Sequence, residues 1–297
     1  MNIKTLKRSL LAILLTLVLA AAAWLYLDAS STIAPRVTFD LGQNIEKTIK
    51  QSGLPIRRMH KMNVAGYISY DAMDLSPKVV FQYTRPGYEI SWDGLFSFGL
   101  STNEKLSPDL QVHKVNLHHR GKFASHQEAK AFIEQTIQQF QQGKWKRYFY
   151  ENGPRITGRS SFLDLNGELS SRVIFSPDPD YRIPDDEWLD FISRRTILWE
   201  WTGDGVHAEL SVSLPTSSAQ DEFPLYSIWL TLQNEEIQNH YTQTKLKHDL
   251  EEGDAKGWSS TEKHKQGIIK AKEKTRLLEQ AALNRGDSIV PRDDPGN

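Results

Sequence analysis

The chain has 297 residues, a formal net charge of −1, 39% hydrophobic and 25% charged residues, a profile that suits a folded globular body rather than a multi-spanning or disordered chain. Near-neutral charge argues against a dedicated nucleic-acid binder, which carries a basic excess on one face. The absence of cysteine excludes disulfide frameworks, cysteine-held metals, iron–sulfur clusters and thiol nucleophiles.

The first predicted element is a membrane helix. Lys4, Lys7 and Arg8 precede a run from Leu10 to Leu27 that is apolar apart from Thr16. As a helix this run is roughly 27 Å long, against a hydrocarbon core of ~30 Å. The basic flank predicts that residues 1–9 stay in the cytoplasm, that 10–27 span the lipid bilayer, and that 28–36 tether a body displayed outside. Trp24 and Tyr26 fall at the far headgroup region, as amphipathic rings prefer. The expected address is the bacterial inner membrane, single-pass, with the body periplasmic. Ala21-Ala22-Ala23 offers a signal-peptide cleavage site as the competing reading, but the apolar run continues past it to Leu27. Either outcome puts the body in the same compartment. Ala12, Thr16 and Ala20 have the small-residue spacing through which two such helices pair, which makes a homodimer the corresponding expectation.

The body reads as α+β: two antiparallel-sheet-plus-helix units, residues 37–150 and 151–233, followed by a charged tail, 234–297. In the first unit Phe39 to Gln51 suggests an amphipathic helix stopped by Gly53-Leu54-Pro55. Strands are expected over Val64–Tyr70 and Lys78–Tyr83, then an extended aromatic stretch over Tyr88–Leu100 and alternation over Gln111–His119. Ser125 with Glu128 forms a capping box for a helix closed by Gly143, its stripe made by Ala129, Phe132, Ile133, Ile137 and Phe140.

In the second unit Asn166-Gly167 predicts a type I′ hairpin between Ser161–Leu165 and the strand from Glu168. Pro184-Asp185-Asp186-Glu187 opens a short helix with acids in its first turn. Gly203-Asp204-Gly205 predicts a second hairpin. After it Val206, Ala208, Leu210, Val212 and Leu214 face inward, while His207, Glu209, Ser211 and Ser213 face water. Leu225–Leu232 is the third strand of that meander. In the tail, Ser259 to Glu262 could cap a helix running to about Asn284, and Gly286 to Asn297 reads as loose.

Three constellations are candidates for chemistry. His113, His118, His119 and His126 lie close in sequence, but adjacent strand positions point to opposite faces, and no carboxylate sits at a ligand spacing; no metal or cofactor is expected. Asp178, Asp180, Asp185 and Asp186 form an acidic loop broken by prolines, without the glycine and terminal glutamate of a calcium hand. It is either a rigid turn or a surface for a basic partner. Trp145, Lys146, Arg147 and Tyr148 lie in the densest basic–aromatic stretch, rich in the residue types that dominate binding hot spots; the alternative is that its rings pack between the two units. No nucleophile elbow, phosphate loop or H-E-x-x-H motif appears.

These readings point to a non-enzymatic, membrane-anchored module that binds another protein in the periplasm. One version is an immunity protein neutralising an effector toxin, another an accessory subunit of an envelope secretion or assembly machine. The alternative is a periplasmic enzyme acting on cell wall or lipid through the acidic loop or a histidine.

Overall fold

The structure, a computed structural model, describes residues 36–52, 57–61, 67–73, 75, 78–170, 175–218 and 223–292. The expected membrane segment 10–27, with Ala12, Thr16 and Ala20, lies outside them. Among the described residues no helix is long and apolar enough to cross a membrane.

In chain order come β1 (Arg36–Phe39), α1 (Ile45–Ser52), β2 (Arg57–Lys61), β3 (Tyr67–Ala72), β4 (Val80–Tyr83), β5 (Ile90–Trp92), β6 (Leu95–Asn103) and β7 (Lys114–His119). Helix α2 (His126–Gln142) and the two-residue strand β8 (Lys146–Arg147) follow. The remainder supplies α3 (Trp188–Ser193), β9 (Ile197–Gly203), β10 (Val206–Ser213), β11 (Ser227–Asn234), α4 (Glu235–Ala255) and α5 (Ser260–Asn284).

Among the described residues the fold is α+β with two sheets. Eight strands form the larger, in the order β2-β3-β6-β7-β11-β10-β9-β8, and β1-β4-β5 form the smaller. Every neighbouring pair in the large sheet is antiparallel; β1 and β4 run parallel. The larger sheet thus draws strands from both expected units, residues 37–150 and 151–233. Strand β7 of the first half pairs directly with β11 of the second, Leu117 opposite Leu230 and Val115 opposite Leu232. Both halves share one hydrophobic core, to which α2 brings Ala129, Ile133 and Phe140, and β9 brings Trp199 and Trp201. The halves look separate in sequence because each closes its own hairpins, while the β7–β11 seam that joins them is non-local.

Local chemistry explains the elements that were legible. Ser125 accepts the amide N–H of Glu128 at 3.1 Å, capping α2, and the Glu128 carboxylate reaches back to the N–H of Ala124. Ser125→Ala is expected to cost about 1 kcal/mol of stability, read as a lower urea midpoint with an unchanged slope. The β9–β10 hairpin turns through Asp204 (φ 49°) and Gly205 (φ 72°), two successive left-handed residues that suit the twist of the flanking strands. Strand β10 then alternates as expected, with Val206, Ala208, Leu210 and Val212 buried in the core.

Two expectations give way. Around Asn166-Gly167 there is no hairpin of strands: a short 3-10 turn covers Arg159–Phe162, and a single bridge joins Leu163 to Leu169. Only Gly167 takes a positive φ there, at 83°. The Asp164 carboxylate accepts the N–H groups of Asn166 and Glu168, a local turn that satisfies the backbone without a ladder. The tail is also less loose than its composition suggests. Helix α4 precedes the expected α5, with Asn234 accepting the Ile237 N–H at 3.0 Å as its cap. Residues 286–292 return to the body: Thr157 donates to the Ser288 carbonyl at 2.9 Å and Val290 to that of Arg155 at 2.8 Å. Ile156, Leu278 and Ala282 are buried together there, with Phe175 and Ile289 packed against them, an apolar cluster too small to register in the composition.

Candidate binding face

The basic–aromatic stretch and the acidic loop, which the sequence offered as separate surfaces, meet at one pair, Arg147 and Asp178. Trp145 is buried, edge-on to Tyr88 at 5.1 Å and to Phe140 at 5.3 Å. The Arg147 guanidinium donates to the carbonyls of Ile156 and Ser176, both at 2.8 Å, and lies 3.8 Å from Asp178. Burial pulls its pKa down to about 10 against the opposing field of Asp178 and Asp180. Asp178 is buried and accepts the N–H groups of Gly158 at 2.6 Å and Asp180 at 3.1 Å. Asp180 accepts from the Gln141 side chain at 2.8 Å. Asp185 pairs with Lys130, itself buried and also 3.1 Å from Glu134; Lys130 holds the Asp185 carboxyl below the usual carboxylate range. Lys146 and Asp186 are exposed. Arg147 and Asp178 thus fasten β8 to the acidic loop, and the loop's carboxylates do not converge on one point.

The histidines disperse as well. His113 and His119 are buried, and His126 meets the Tyr226 hydroxyl through Nδ1 at 2.8 Å. Among the described residues no group of three or more His, Asp or Glu side chains could hold a metal ion.

A different surface gathers polar groups: the outer face of the large sheet, opposite the core. Strand alternation sends His207, Glu209 and Ser211 of β10 to this face, and each is partly exposed. Pairing registers arrange the face in rows. Glu200 of β9 stands opposite Glu209, which stands opposite Thr231, which stands opposite Asn116. The row beside it runs Leu198, Ser211, Trp229, His118. On the other side lie Thr202, His207, Gln233 and Lys114.

Glu200 is only 2% exposed. Its carboxylate accepts from the Tyr150 hydroxyl at 2.8 Å and lies 3.2 Å from His207 Nε2. That imidazole contact is poorly aligned, so Nε2 makes no hydrogen bond; Nδ1 faces the Gln233 amide at 3.0 Å. Tyr148 packs edge-on against both His207 and Tyr150. Burial, followed by the Glu200 field, raises the pKa of Glu209; His207 and Lys114 oppose the shift. Burial and Glu200 also push the Tyr150 hydroxyl up, leaving it a neutral donor.

The adjacent row is aromatic. Trp229 is 40% exposed, and its ring lies parallel to that of His118 with centroids 3.9 Å apart and an interplanar angle of 4°. Phe96 meets His118 edge-on, and Arg120 lies over Phe96. Trp229 is thus a large indole exposed within a sheet face, and aromatic groups of this kind anchor interfaces.

Of this face, alternation in the sequence sets His207, Glu209, Ser211 and Ser213 on the wet side of their strand, and Asn116 and His118 on the face opposite Val115 and Leu117. Glu200, Trp229 and their pairing went unnoticed, although the Asp204-Gly205 turn already implies that residues 200 and 209 stand opposite each other. No family model, curated protein or solved structure matches this chain.

Proposed function

We propose that the chain is an inner-membrane-anchored, periplasmic binding module that holds a protein partner on the outer face of its eight-stranded sheet. The observation that carries this reading is Trp229, exposed in a flat field of hydrogen-bonding side chains. Interfaces combine a few aromatic anchors with a polar surround. The basic flank and apolar run of residues 4–27 supply the anchor and the compartment. Within this class, an immunity protein against a periplasm-acting toxin and a subunit of an envelope assembly machine share the same requirement, a rigid face held near the membrane.

The test compares the full-length, detergent-solubilised protein with a Trp229→Ala/Thr231→Arg variant, each cross-linked in its native host and purified. A protein recovered with the wild type and lost with an equally stable variant is the expected result. Identical recoveries would overturn the reading. For the immunity version, deleting the gene harms cells only when the cognate toxin is delivered; unimpaired survival under that challenge removes it.

An enzyme acting on wall or lipid is favoured by one observation, the convergence of Glu200, His207 and Tyr150. Its weakness is access. Glu200 is buried beneath Tyr150, so no substrate atom can approach the carboxylate with the side chains as they stand.

A further inference from the structure

We propose that Glu209, Ser211 and Trp229 form a receptor for a guanidinium group, so that the partner docks an arginine side chain on the sheet face; this rests on the binding-module reading above. The argument begins with the two sides of the indole. Trp229 stands between His118 on β7 and Ser211 on β10. His118 covers the side toward β7, stacked at 3.9 Å. The opposite side looks toward Ser211, the short, partly exposed residue that stands beside Trp229 on β10. Glu209 is the next outward residue along β10 and a diagonal neighbour of Trp229. Diagonal neighbours on one sheet face lie roughly 7–8 Å apart, a span that one flat cation bridges while stacked on the ring.

Glu209 supplies the second half of the argument. Among the described residues, it takes part in no hydrogen bond and no ion pair within 4.0 Å. Its neighbour Glu200 has Tyr150 and His207 against it; Glu209 has neither. Lys114 and His207 act on it only through their fields. A half-buried carboxylate beside a second carboxylate is a position that a cation improves.

The chemistry of the slot selects the cation. A metal ion would need several converging ligands, which this face does not provide. An ammonium could pair with Glu209 but presents no plane to the ring. A guanidinium does both: it stacks on an indole and presents a fork of N–H donors that matches a carboxylate. It is also weakly hydrated, so it loses less on leaving water for a half-buried site.

The test uses the full-length protein in detergent, labelled with 5-fluorotryptophan, with the Trp229 resonance assigned through Trp229→Phe. The probe is the blocked peptide acetyl-Gly-Arg-Gly-amide, compared with its citrulline counterpart, which has nearly the same shape without the charge. The arginine peptide is expected to shift the Trp229 resonance saturably, binding about tenfold tighter than the citrulline peptide. Glu209→Gln should abolish that preference, and Ser211→Leu, which fills the slot without changing charge, should weaken both peptides. Both variants are first shown to unfold at the wild-type temperature. Equal binding of the two peptides, an undiminished preference in Glu209→Gln, or a response of Trp229 to chitotriose but not to arginine would overturn the proposal. The two readings fail separately. If the cross-linked partner responds to Trp229→Ala/Thr231→Arg but no peptide shows a charge preference, the module stands and the arginine receptor falls. If the arginine peptide binds but no partner is lost from the variant, the module falls.

Discussion

Replacing Phe140 with alanine is expected to destabilise the protein by about 3–5 kcal/mol, the range for removing a large aromatic group from a packed core. Phe140 is fully buried near the end of α2. Its ring stacks on Trp201 with centroids 4.0 Å apart and an interplanar angle of 6°, and meets Trp145 edge-on at 5.3 Å. The stack joins a helix from the first half of the chain to a strand from the second. Flanking rings of this size cannot collapse into the vacated space, so both the burial and the ring contacts are lost. Urea unfolding followed by tryptophan fluorescence gives the number; Phe140→Leu, which keeps most of the volume, should cost less than half as much. A loss below about 1 kcal/mol for the alanine variant would mean that α2 does not dock on β9 in this way.

The second large effect is a loss of stability in mild acid, centred on His119. Burial, followed by the fields of His118 and Arg120, lowers its pKa from 6.5 to about 4. The geometry agrees, because Nδ1 accepts the Gly121 N–H at 2.9 Å, which a protonated nitrogen cannot do. Phe123 stacks on the ring at 5.1 Å and Phe132 lies at 4.3 Å, leaving no room for a solvated cation. The sign follows directly. Above pH 6.5 the ring is neutral in both states and carries no penalty. Between 6.5 and about 4 the unfolded chain takes up a proton that the native ring refuses, so stability falls as the pH falls. Over the whole window the loss from this one ring is about 3 kcal/mol, at 1.36 kcal/mol per pKa unit. His113 and His118 are shifted in the same direction by burial and add to it. Chemical denaturation at a series of pH values from 7 to 4 should show the slope, and His119→Gln should flatten it. Identical slopes in the two proteins would place the acid sensitivity elsewhere.

What the sequence disclosed follows from the range of the interactions involved. The α2 cap, the Asp204-Gly205 turn and the alternation of β10 are set by residues within a few positions of one another, and all three appear as expected. Strand β2 escaped notice because Arg57–Lys61 has no apolar alternation and forms one edge of the sheet. Helix α4 was missed for a related reason: almost all of its side chains face solvent, with only Gly253 buried, so it has no apolar stripe to read. The candidate site was hidden by a different effect. Arg147 and Asp178 each look like a surface charge, and only the fold reveals that they lie close together, Arg147 bonded to two carbonyls and Asp178 to two amides. Glu200 and Trp229 sit in strands whose apolar residues dominate the pattern, so their outward positions carry weight only once the registers set Glu200 opposite Glu209, and Trp229 between Ser211 and His118.

The seam between β7 and β11 bears on how the molecule comes into being. Lys114–His119 is made long before Ser227–Asn234, and until the later strand arrives the earlier one has an unpaired edge in the middle of what will become the sheet. Bringing such distant segments together carries a loop-closure cost that is met before most core contacts form. A product that stops short of β11 therefore cannot complete the Trp229 row, because His118 and Trp229 belong to opposite sides of that seam. Assembly of the sheet and of its outer face are one event: the surface proposed to meet a partner comes into existence only when β11 closes the sheet.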